Sequence, residues 1–216
     1  MDAMKTFFNL MDPGSTIMKG INHIKFNRRL PSVLSREEVE KLIGAATNIK
    51  HRALLMLLYS SGVRLQECLN LRPVHIESDR MKVRVEQGKG RKDRYTILSK
   101  RALEELRAYY RAYRPKEWLF EGRGGEQYSA RSLGKVVTNA ARKAGLGKKV
   151  SPHTLRHSFA THLMEAGVPL PVIQKLLGHT SIKTTMIYLH ISESLKERTH
   201  SPLDDGKDLL EASTHD

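Results

Sequence analysis

SPHTLRHSFATHLMEAGVPLPVIQKLLGHTSIKTTMIYLH, residues 151–190, is the stretch that decides the fold of this chain. Ser151 stands before Pro152, a residue preset for a first helical position, and the pattern that follows predicts a helix to about Glu165. Pro171 is expected to open a second helix, PVIQKLLG, which Gly178 ends, and SIKTTMIYLH reads as a third, short one. HTLRH sets His153 and Arg156 one turn apart on one helix face, so an imidazole and a guanidinium can meet the same anion. His179 directly follows Gly178, where a ring can hydrogen-bond the helix end or become cationic. Alone, His179 reads as a capping residue and Tyr188 as core.

Upstream, Ser35 and Glu38 form a capping box that opens a helix to about Ala46. HRALLMLLYSSG reads as a buried helix closed by Gly62, followed by a short helix from about Arg64 to Leu71. Residues 81–98, MKVRVEQGKGRKDRYTIL, alternate apolar and polar on both sides of a glycine turn, which predicts a β-hairpin. Helices are expected over 100–113 and, capped by Ser129, to about Ala144, with WLF at 118–120 a short extended piece. The fold class is therefore mainly α with a small antiparallel β-sheet (α+β).

The chain has 216 residues, a formal charge of +14 and 39% hydrophobic against 28% charged residues, which fits a globular protein with a polyanionic partner. The charge is uneven. Residues 79–116 hold thirteen Lys or Arg against five acidic residues, whereas 201–216 hold one Lys against five. The first stretch reads as a phosphate-facing surface and the second as one that avoids nucleic acid. The single cysteine, Cys68, excludes an intramolecular disulfide and a cysteine-based zinc site, falls at a core phase of its helix, and suits a reducing cytoplasm. No segment reads as a membrane span or a signal peptide.

Arg64, just after Gly62, could hold a phosphate at a helix start or make a surface salt bridge, with Glu67 as its orienting partner. Lys89 lies at the hairpin tip between Gly88 and Gly90, where a flexible ammonium can reach a leaving alkoxide or simply be solvated. Arg91, Lys92 and Arg94 are expected to bind backbone phosphates. His153 and His157 stand four apart, but no H-E-x-x-H pattern or carboxylate at ligand spacing accompanies them, so no metal is expected. His157 and His162 read as structural.

The order Arg64, Lys89, His153-x-x-Arg156, His179, Tyr188 resembles the catalytic set of tyrosine recombinases, the phage-integrase superfamily. GVRLQECLNL, GKGRKDR, SPHTLRHSFATHL and IQKLLGHTSIKTTMIYLH are most similar to Xer-type recombinases and integron integrases, over roughly residues 30–205. The resemblance implies site-specific recombination of double-stranded DNA through a 3′-phosphotyrosine, without metal, cofactor or ATP. It implies Tyr188 as nucleophile, Arg64 and Arg156 on the nonbridging oxygens, Lys89 as acid, His153 assisting proton transfer at the tyrosine, and His179 bonded to the phosphate. It implies 1–33 as the remnant of an N-terminal core-binding domain and linker, 34–198 as the catalytic domain, and 199–216 as a tail docking on a neighbouring protomer. The partners it implies are a second copy, in a tetramer on two DNA sites, or a partner recombinase. A type IB topoisomerase and a DNA-binding regulatory fragment are the alternatives.

Overall fold

The computed structural model describes residues 32–86 and 93–190. Its centre is α2 (Ile49–Ser61), whose Ala53, Leu54, Leu55, Leu57 and Leu58 are all fully buried. The run 53–58 is apolar on every side of the helix and has no solvent face, so other elements must surround it. α1 (Arg36–Gly44), α4 (Lys100–Tyr113) and α6 (Pro152–Glu165) pack against it. Each buried leucine contributes about 1.5–3 kcal/mol of transfer free energy. Asn48 Oδ1 caps α2 by accepting the His51 N–H at 3.2 Å, and Gly62, at φ 60°, ends it. α1 begins at the expected capping box: Glu38 N–H donates to Ser35 Oγ and Ser35 N–H to Glu38 Oε2.

The short helix α3 (Leu65–Leu69) leads to a three-stranded antiparallel sheet, β1 (Ile76–Glu77), β2 (Lys82–Val85) and β3 (Arg94–Ile97), in the order β1-β2-β3. Val83 pairs with Thr96 and Val85 with Arg94, so the buried faces of β2 and β3 coincide. The antiparallel strand pair expected within 81–98 is present as β2 and β3, and the turn expected between them lies outside the described residues. The additional strand β1 is two residues long, too short to leave an alternation signal.

α5 (Ala130–Lys143) buries Leu133, Val136, Val137, Ala140 and Ala141 along one face, and Ser129 Oγ caps it through the Ser132 N–H. The WLF segment is irregular rather than strand-like, although Leu119 N–H donates to Leu71 O at 2.7 Å and Phe120 is fully buried. α7 (Leu170–Leu177) starts one residue before the expected Pro171, with Pro169 as its cap. α8 (Ile182–Thr185) then passes into a 3₁₀ turn, Met186–His190, so the last helix tightens just where Tyr188 sits.

Two buried clusters result. The larger joins α1 to α5 and the sheet. The smaller holds Phe159, Ala160, Met164, Ile173, Leu177 and Tyr188, and half-buried Tyr59 packs against both. Tyr188 is thus fastened to α6 and α7 by apolar contact. Cys68 is fully buried, as its phase required, and burial pushes its thiol up to about 12. Among the described residues no helix is long and apolar enough to cross a membrane.

Candidate active site

Gly62 turns the chain out of α2 with a positive φ, which lets Arg64 reach back over α3. A Cβ at Gly62 would lie 2.3 Å from Phe159 Cδ1, so only glycine admits α6 this close. Arg64 Nη1 donates to Glu67 Oε1 at 2.7 Å, and the Arg64 N–H donates to Glu67 Oε2 at 2.7 Å. The first free amide of α3 is therefore satisfied by Glu67 and is not left open for an anion.

Arg94 corrects the expectation that it joins Arg91 and Lys92 on DNA phosphates. Its side chain is 9% exposed and grips Glu67 with two parallel bonds, Nη1 to Oε1 at 2.8 Å and Nη2 to Oε2 at 2.7 Å. Its Nε donates to Leu176 O at 3.0 Å. The reason is register: on β3 Arg94 shares the face of buried Thr96 and projects away from exposed Tyr95 and Ile97. A planar guanidinium facing a buried carboxylate is the geometry of a strong bidentate pair. Arg91, Lys92 and Lys89 lie outside the described residues.

Arg156, 3% exposed, comes from the first turns of α6. It donates from Nη1 to Gly62 O and from Nη2 to Leu177 O, the latter at 2.6 Å, so the carbonyl ends of α2 and α7 hold it. Helix C-termini carry partial negative charge, which makes them suitable seats for a buried cation. Arg64 Nη2 approaches Gly178 O at 3.4 Å, which brings the two guanidiniums to neighbouring carbonyls of one turn. Burial and the charge of Arg64 pull Arg156 down to about 10, with Glu67 opposing, so it stays cationic at neutral pH. Burial works against ionisation of Glu67, but the bonds and charge of Arg94, with bonds from Arg64, overcome it and hold the carboxyl at about 2. Three guanidiniums, those of Arg64, Arg94 and Arg156, surround the single carboxylate of Glu67, so this group of four carries a net positive charge.

His179 Nε2 lies 3.2 Å from Arg156 Nη2 and its Nδ1 lies 2.9 Å from Thr185 Oγ1. Arginine only donates, so Nε2 is the acceptor and Nδ1 carries the proton toward Thr185. Burial, reinforced by Arg156, Arg64 and Arg94, lowers His179 to about 4, which keeps this neutral tautomer. The Tyr188 side chain is 1% exposed, and its hydroxyl lies 3.0 Å from His157 Nδ1. Burial raises its pKa, and Arg156 and Arg64 pull it back. His153 is exposed in the first turn of α6.

Arg64, His153, Arg156, His179 and Tyr188 line one cleft of about 250 Å³, together with His157. Five of the six expected catalytic residues therefore meet; the sixth, Lys89, is outside the described residues. Reading the sequence missed three contributors. Arg94 turns inward to Glu67, Thr185 carries no signal beyond a helical position, and His157, which reads as structural, stands one turn from His153 on the same face and lines the cleft. Among the described residues no cluster of three or more His, Cys, Asp or Glu is placed to hold a metal ion.

The architecture and this site define a tyrosine-recombinase catalytic domain. The chain is similar to the crystal structure of XerA recombinase, with TM-score 0.74 and 30% identity over 81% of this chain and 68% of that one. It is also similar to XerH bound to palindromic difH in a post-cleavage complex, with TM-score 0.71 and 29% identity over 82% of this chain and 54% of that one. Residues 32–194 match the phage integrase family, and the chain belongs to it. Among curated relatives, y4qK of Sinorhizobium fredii is 47% identical over 82% of this chain and 58% of its own length. The tyrosine recombinase of Thermosipho africanus is 36% identical over 91% of this chain and 71% of its own. The chain thus spans a little over half to about seven tenths of these relatives' length.

Proposed function

We propose that this chain is the catalytic domain of a site-specific recombinase that cuts and rejoins double-stranded DNA through a 3′-phosphotyrosine. The observation that carries the reading is the convergence of Arg64, Arg156, His179 and Tyr188 on one cleft with an excess of positive charge. A phosphodiester bound there would meet two guanidiniums placed for its nonbridging oxygens. Positioned cations in a partly dry site stabilise a pentacoordinate phosphate without reorganising, which is the main catalytic resource for phosphoryl transfer.

In this scheme Tyr188 attacks phosphorus, and the leaving 5′ oxygen takes a proton from Lys89. The phenol proton leaves by way of an imidazole of α6, which the family resemblance assigns to His153. His179 would bond the phosphate through Nε2 once that nitrogen carries a proton, which the negative charge of the bound phosphate favours. The 5′-hydroxyl of a partner strand reverses the step, and the covalent link conserves the bond energy. Arg91 and Lys92 of the hairpin turn would contact the DNA backbone. The acidic tail, 199–216, would dock on a neighbouring copy in a tetramer on two sites or on a partner recombinase, and residues 1–33 would belong to a DNA clamp.

Incubation with a nicked suicide duplex tests this reading. Wild type is expected to form a denaturation-resistant protein–DNA adduct and Tyr188→Phe none. An equal adduct yield from Tyr188→Phe would refute the nucleophile, and DNA affinity indifferent to salt would refute the cationic docking surface.

A further inference from the structure

Tyr188 is the largest polar side chain of the small apolar cluster, and its hydroxyl is aimed at one ring nitrogen. That nitrogen belongs to His157, one turn further along α6 than His153. The two rings lie with centroids 5.7 Å apart at 52°, which brings the His157 Nδ1 edge to the phenol oxygen. A phenol O–H is a much better donor than its oxygen is an acceptor, and an unprotonated imidazole nitrogen is among the best acceptors in proteins. The 3.0 Å contact is therefore read as O–H donating to Nδ1.

We propose that His157, through Nδ1, is the base that takes the Tyr188 proton as the phenol oxygen attacks phosphorus, and that His153 does not take it. This rests on the recombinase reading above. The step balances: the Tyr188 O–H bond breaks and its proton passes to Nδ1, giving an imidazolium. The oxygen lone pair forms the O–P bond, the P–O5′ bond breaks, and the leaving oxygen takes the Lys89 proton. Religation returns the proton from His157 to Tyr188.

The surroundings of His157 fit the role. His153 and Arg156 face it from its own helix, Tyr188 from the 3₁₀ turn, and His179 from the turn after α7. Burial, then His153 and Arg156, lowers His157 to about 4, so it is unprotonated at neutral pH and ready to accept. So weak a base does not remove the proton ahead of attack. The phenol proton becomes strongly acidic only as its oxygen bonds to phosphorus, and the phosphate's negative charge then offsets the new imidazolium. Coupling the transfer to attack also prevents the free enzyme from carrying a reactive phenolate.

The test is single-turnover cleavage of the suicide duplex by the whole chain and by its His157→Phe and His157→Asn variants, with DNA affinity measured by anisotropy. Both variants are expected to bind DNA within about twofold of wild type and to cleave about 10²–10⁴-fold more slowly. The deficit is expected to narrow as pH rises toward the phenol's own ionisation. A 5′-thio leaving group, which needs no proton, is expected to leave the deficit in place. Asparagine offers a hydrogen-bond acceptor near Nδ1 but cannot hold the proton. Recovery of near-wild-type cleavage in His157→Asn would therefore reduce His157 to a positioning group and overturn the proposal, as would rescue of either variant by the thio substrate. Imidazole ¹⁵N shifts give a readout independent of cleavage and of variant folding: an Nε2–H tautomer is expected for His157, and an Nδ1–H tautomer would overturn the proposal. Cleavage by wild type and both variants alike would overturn this inference alone. No adduct with wild type would overturn the recombinase reading and this inference with it.

Discussion

Replacing Glu67 by glutamine removes the one negative charge from beneath Arg64 and Arg94, and its cost follows from the structure. The carboxylate accepts four N–H bonds at 2.7–2.8 Å and its side chain is 8% exposed. The fall of its pKa from 4.5 to about 2 corresponds to about 3 kcal/mol of preference for the charged form. Glutamine also turns an amide donor toward guanidinium donors, and breaking a buried ion pair on one side costs about 3–5 kcal/mol. Glu67→Gln is therefore expected to lose about 3–5 kcal/mol at neutral pH. The sign of the pH dependence follows from a folded pKa that is depressed. The stabilisation is complete above the unfolded carboxyl's pKa and is lost as pH falls through the folded value near 2. The gap between wild type and variant should thus be constant from pH 8 to about 5 and shrink by about 2 kcal/mol by pH 3. Urea denaturation of both proteins across that range measures it, and the difference between the curves cancels the other acidic groups. A gap of the same size at pH 7 and pH 3 would refute the claim that the charge of Glu67 holds the arginines.

Two other substitutions test the frame around the cleft. Gly62→Ala places a methyl 2.3 Å from Phe159 Cδ1 at a φ of +60°. Left-handed strain and displacement of the ring together should cost about 2–4 kcal/mol, and a thermal-melt loss below about 1 kcal/mol would contradict that packing. Thr185→Val keeps the shape of a fully buried side chain but leaves the His179 Nδ1–H without its acceptor, a loss of about 1–3 kcal/mol. Imidazole ¹⁵N shifts should then show His179 leaving the Nδ1–H tautomer, and an unchanged tautomer would refute the role given to Thr185.

Much of the fold was legible because its signals are local. The Ser35–Glu38 box, the wholly apolar run at 53–58, the positive-φ stop at Gly62 and the alternation on the two paired strands each act within a few residues. Strand β1 escaped because two residues make no period, and the last helix tightened to 3₁₀ where Tyr188 packs on α6 and α7. In the site, the order of the arginines, histidines and tyrosine was readable, whereas the direction of each side chain was not. Arg91, Lys92 and Arg94 look alike in a run of cations, yet the pleat of β3 sends Arg94 inward to Glu67, 27 residues away.

What the sequence by itself determined is the set of elements and the kinds of reactive group on them, since capping, periodicity and residue chemistry are short-range properties. Tertiary structure alone decided which of these groups touch. Arg156 meets the carbonyl of Gly62 across 94 residues and His157 meets Tyr188 across 31. Contacts of that span depend on how the helices pack around α2, and the volume and direction of buried side chains from every layer set that packing together.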